Sequence, residues 1–104
     1  LQALHWMIPR MNHLDRKRIA DEVIELLCAK LHTLPLPQDA DDFDYESQKL
    51  TQDVTEDPLD IAEVTMDLED AFGISFDDTQ PGEKGLETIG EIIDTINDMV
   101  AKQV

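Results

Sequence analysis

The sequence predicts an all-α fold, a small bundle of helices packed around one apolar core. Three observations carry that expectation. Apolar residues recur at helical spacing in three separate stretches. Residues that start and stop helices bracket those stretches. Proline-rich and acidic segments, unsuited to continuing a helix, lie between them.

The first stretch runs from about Leu14 to Leu31, with Ile19, Val23, Leu26, Leu27 and Leu31 recurring every three to four residues. Asp21, Glu22, Glu25 and Lys30 fill the opposite positions. Cys28 falls within this helix and reads as a small buried hydrophobe. Leu34-Pro35-Leu36-Pro37 ends the helix, because proline cannot continue it and restricts its predecessor. An acidic connection follows, from Asp39 to Glu46, and Phe43 and Tyr45 are expected to pin it to the core. No register of this connection matches a calcium loop, which needs glycine at the sixth position and glutamate at the twelfth.

The second stretch, from Asp57 to Gly73, has both ends marked. Asp57 suits the cap, Pro58 the first helical position, and Asp60 adds charge where the helix dipole favours it. Gly73 suits the left-handed closure of the last turn. Ile61, Val64, Leu68 and Phe72 share one face, while Asp60, Glu63, Asp67 and Asp70 form a row beside it. The third stretch starts at Thr88, where Thr88-Ile89-Gly90-Glu91 is a capping box. Leu86, Ile89, Ile92, Ile93, Ile96 and Val100 supply its buried face. One domain over 11–104 is therefore expected, with residues 1–10 as an N-terminal appendage; Trp6 within it is expected to pack or stay disordered rather than anchor a partner.

Charge and composition narrow the function. Twenty-four acidic residues against eight lysines and arginines give a formal charge of −16. Nucleic acid is a poor partner for such a surface, and basic protein patches are good ones. Cys28 is the single cysteine, so no internal disulfide forms and a reducing, cytoplasmic setting fits. No apolar run reaches the roughly 20 residues of a membrane span. His5, His13 and His32 have no nucleophile arranged with them, zinc spacing is missing, and no glycine-rich phosphate loop occurs. The expectation is a monomer that is not an enzyme, with no catalytic residues and no metal site.

The second stretch also resembles a known family. Asp57-Pro58-Leu59-Asp60, followed by an acidic helix ending Leu68-Glu69-Asp70-Ala71-Phe72-Gly73, is similar to the second helix of acyl carrier proteins. Leu50, Asp53 and Val54 match the family's approach to that helix in character, with Thr55 where glycine is usual. Ile74-Ser75-Phe76-Asp77-Asp78 resembles its exit, and Thr88 to Ile96 its final helix. The resemblance runs from about Met11 to Val100. It implies three main helices plus one short one, the short one shortened or distorted by Pro81-Gly82-Glu83-Lys84-Gly85.

The family carries 4′-phosphopantetheine on a serine at the position of Pro58. Proline has no hydroxyl, so no arm is expected and no cofactor with it. What the resemblance leaves in place is a docking surface, Asp57, Asp60, Glu63, Asp67 and Asp70, facing basic patches of partners such as enzymes of acyl-chain synthesis or transfer. Two alternatives stay open. One is a working carrier of fatty-acid, polyketide or lipid-modifying synthesis with an unrecognised attachment site. The other is a generic acidic helical domain whose carboxylate row is only a solvated face.

Overall fold

The computed structural model describes residues 16–39, 42–77 and 79–102. The expected appendage at 1–10, with Trp6, lies outside them, as does Leu14. Three main helices form the body: α1 (Arg16–Leu31), α2 (Pro58–Phe72) and α3 (Ile89–Lys102). Short helical turns at Pro37–Asp39 and Leu50–Val54 lie between α1 and α2, the second a π-helical turn. This is the all-α bundle the sequence predicts. Gln80 to Glu87 closes in turns rather than helix, with Gly82 and Gly85 at φ of 99° and 91°.

The helices pack α1 against both α2 and α3. Ile19, Val23 and Leu27 of α1 are fully buried against Val64 and Leu68 of α2 and Ile89, Ile92, Ile93 and Ile96 of α3. Each such side chain contributes about 1.5–3 kcal/mol by leaving water. Ile61 and Phe72, expected on the buried stripe of α2, are half-buried at its edges, and Thr65 is buried with its hydroxyl donating to the Ile61 carbonyl at 2.7 Å.

Local chemistry sets the helix ends. Thr88 and Glu91 form the expected reciprocal box: the Glu91 carboxylate accepts from the Thr88 amide at 3.0 Å, and the Thr88 hydroxyl accepts from the Glu91 amide at 3.1 Å. Gly73 closes α2 at φ 65°, and the Ile74 amide donates back to the Glu69 carbonyl at 3.1 Å. Helix α1 ends before the prolines, at His32, which takes a left-handed φ of 56°.

Two long-range fastenings position the connections. The stretch before α2 zips onto the start of α3, with the Leu50 amide donating to Glu87, Ile89 to Gln48 and Gly90 to Glu46 at 2.8–2.9 Å. Gly90 suits this close approach, since a Cβ there would lie 3.1 Å from the Glu46 carbonyl oxygen and the neighbouring chain would have to give slightly. Arg16 then holds Glu46 with both terminal nitrogens, at 3.0 and 2.7 Å, and Asp94 of α3 through Nε at 2.5 Å. These carboxylates keep the guanidinium charged, raising its pKa further.

The long first connection is pinned as expected. Tyr45 is buried, its ring meets Phe43 edge-on at 4.8 Å, and its hydroxyl donates to the Pro35 carbonyl. The Cys28 thiol reaches the same carbonyl at 3.5 Å. Burial, with Glu25 nearby, pushes the thiol pKa up, which makes it a poor nucleophile.

Candidate functional site

The start of α2 is built by four consecutive polar contacts. The Asp53 carboxylate accepts from the Lys49 amide at 2.8 Å and so closes the π-helical turn. The Thr55 hydroxyl accepts from the Asp57 amide at 3.1 Å and donates to Asp60 at 2.9 Å. Asp57 then caps the helix, accepting from the Leu59 amide at 2.9 Å. Pro58 follows at the first helical position, exposed to solvent. Thr55 thus does by side-chain hydrogen bonding what a tighter glycine turn would do by backbone freedom.

Beside Pro58 lies an open groove lined by Thr51, Ile61, Ala62, Pro81 and Gly82. Its far wall sits hard against the π-helical turn: a Cβ on Gly82 would lie 2.7 Å from Cγ2 of Thr51. The groove is mostly apolar and holds no nucleophile aligned with a base.

The five acidic residues expected to dock partners do not form one free face. Asp57 is engaged in capping and Asp60 with Thr55. Asp67 turns toward α1, where Lys30 Nζ lies 3.1 Å from Oδ2. That oxygen is buried and the ammonium is off its hydrogen-bonding direction, so the contact is an ion pair without a hydrogen bond. Asp57, Glu63 and Asp70 are exposed with no ion pair among the described residues, and Asp57 is already taken up as the helix cap, which leaves Glu63 and Asp70.

What accompanies Glu63 and Asp70 is apolar. Leu59 is 73% exposed and Met66 62% exposed. Leu59, Glu63, Met66 and Asp70 are spaced four, three and four apart, so they form a single stripe of alternating apolar and acidic side chains along α2. The sequence reading missed Leu59 and Met66 because it sought apolar residues on the buried face; their signal was apolar character on the wrong side of the helix.

Among the described residues no group of histidine, cysteine or carboxylate side chains could hold a metal ion, and no helix is long and apolar enough to cross a membrane. No protein-family model matches the chain. It is 30% identical over 89 residues to an acyl carrier protein of Saccharopolyspora erythraea, a match covering 86% of this chain and 85% of that protein. An alignment of that extent, over a three-helix bundle whose second helix begins at a capped Asp57, means that this chain belongs to the acyl carrier protein family.

Proposed function

We propose that this protein is a carrier-fold docking module that holds no phosphopantetheine arm and is not an enzyme. The observation that carries the reading is the head of α2, where Pro58 stands exposed at the position the resemblance gives to the attachment serine. A proline there offers no oxygen for a phosphodiester. Thr55 and Thr51 are off register, and the Thr55 hydroxyl is committed to Asp60 and Asp57. The stripe below it, Leu59, Glu63, Met66 and Asp70, is free to meet a basic and partly apolar patch on an enzyme of acyl-chain synthesis or transfer. Asp57 and Asp60 flank that stripe and add to its field, while Asp67 acts chiefly within the fold.

The relative's name, acyl carrier protein, favours a second reading, a working carrier whose arm sits elsewhere. Intact mass separates the two. The natural chain and a Pro58→Ser chain are each incubated with coenzyme A and a broad-specificity phosphopantetheinyl transferase. Only the serine chain is expected to gain the mass of one arm. Gain by the natural chain would establish the working carrier and require its attachment residue to be mapped. Gain by neither would remove the transferase-recognisable carrier surface from the argument.

A further inference from the structure

We propose that the groove between α1 and the first connection is a second docking site, which takes a protein segment bearing one large apolar side chain flanked by lysine or arginine. The groove encloses about 440 Å³ and is lined by Ile24, Pro37 and Tyr45, with Asp21 and Glu25 along its α1 rim. That volume falls within the roughly 300–1,000 Å³ of ordinary binding clefts. Ile24 is half-buried and Tyr45 buried as a ring, with its hydroxyl already committed to Pro35, so the floor offers apolar contact. The rim offers charge. Glu25 makes no ion pair among the described residues. Lys17 offsets only Asp21, at 3.0 Å across a helical turn in solvent.

An apolar floor beside two rim carboxylates, of which Lys17 offsets only Asp21, selects the occupant by complementarity. A small cation alone would leave the floor wet, an apolar side chain alone would leave the rim unanswered, and an anionic ligand would be repelled. This site lies on a different helix from the α2 stripe and stands whether or not that stripe docks anything.

The test uses the full chain, isotope-labelled, titrated with a synthetic peptide carrying one leucine between paired arginines. Amide shifts are expected at Ile24, Glu25 and Tyr45. Replacing the rim with Asp21→Asn and Glu25→Gln should weaken binding about fivefold, whereas the same charge removed by Glu87→Gln and Asp98→Asn should change it less than about twofold. A peptide with serine for leucine should also bind several-fold more weakly. Shifts confined to Glu63, Met66 and Asp70, equal losses in the two charge variants, or indifference to the leucine would each overturn the proposal. So would groove resonances that move when Trp6 and Ile8 are changed to alanine with no peptide present, since the chain's own N-terminal segment would then be the occupant.

Discussion

His32 leaves α1 with φ at 56°, a left-handed conformation that costs a residue with a side chain about 1–2 kcal/mol. Glycine would remove that cost but lose about 0.5–1 kcal/mol to the greater freedom of the unfolded chain. The difference favours glycine, so His32→Gly should raise stability by about 0.5–1 kcal/mol in urea unfolding. A loss would mean that the imidazole makes a stabilising contact. Gly82 is the opposite case, because its φ of 99° and the nearby Thr51 methyl leave no room for a side chain. Cys28 and Tyr45 add a pH dependence. Both pKa values are raised, chiefly by burial. Each group is therefore held neutral by the fold, and the unfolded chain loses its protons first as pH rises. Their stabilisation is complete below the thiol's unfolded range near pH 8.5 and is lost progressively above it. Thermal melts should fall from about pH 8.5 upward, and Cys28→Ala should flatten the first part of that fall. An unchanged slope in the variant would remove Cys28 as its cause.

Among the elements, α2 divides its carboxylates between cohesion and display. Asp67 belongs to the α1–α2 contact through Lys30, whereas Glu63 and Asp70 belong to the surface. A double-mutant cycle on Lys30→Ala and Asp67→Ala should give a coupling of about 0.5–1 kcal/mol, and the same cycle with Glu63 should give none. Coupling at Glu63 instead would reverse the assignment and leave Asp67 free to dock. Docking itself is checked by capture: Glu63→Lys with Asp70→Lys should weaken binding to a basic partner enzyme about tenfold and reduce its salt dependence. Unchanged capture would sink the α2 stripe as a docking surface. The three helices were legible in the sequence because their signals are local. Asp57, Pro58 and Gly73 mark α2, Thr88 and Glu91 mark α3, and the isoleucine spacing marks its buried face. The split of the acidic row was not legible. Whether Asp67 faces solvent or Lys30 depends on where α1 lies, and a row three and four apart is compatible with both. The same limit hid the partners of Arg16, since Asp94 is 78 positions away.

Over the whole molecule, charge decides how these contacts respond to salt. Carboxylates outnumber lysines and arginines by sixteen, so the compact state concentrates like charge that the unfolded chain spreads out. The ion pairs oppose that repulsion, yet those of Lys17 and Lys102 are exposed pairs within one helix and contribute little. Arg16 is the exception, because one guanidinium ties the start of α1 to Glu46 and to Asp94 on α3. Added salt therefore acts in two directions: it screens the net repulsion and it weakens the Arg16 clamp. Repulsion involves many more charges, so the melting temperature should rise by about 4–8 °C, on the order of 1 kcal/mol, between low salt and about 0.5 M sodium chloride. Arg16→Ala should melt lower at every salt concentration and should gain more from salt, having no clamp left to lose. If the melting temperature of the natural chain fell with salt, the ion pairs would outweigh the self-repulsion, and the surplus charge would be stabilised by contacts beyond those of Arg16, Lys30 and the two helical pairs.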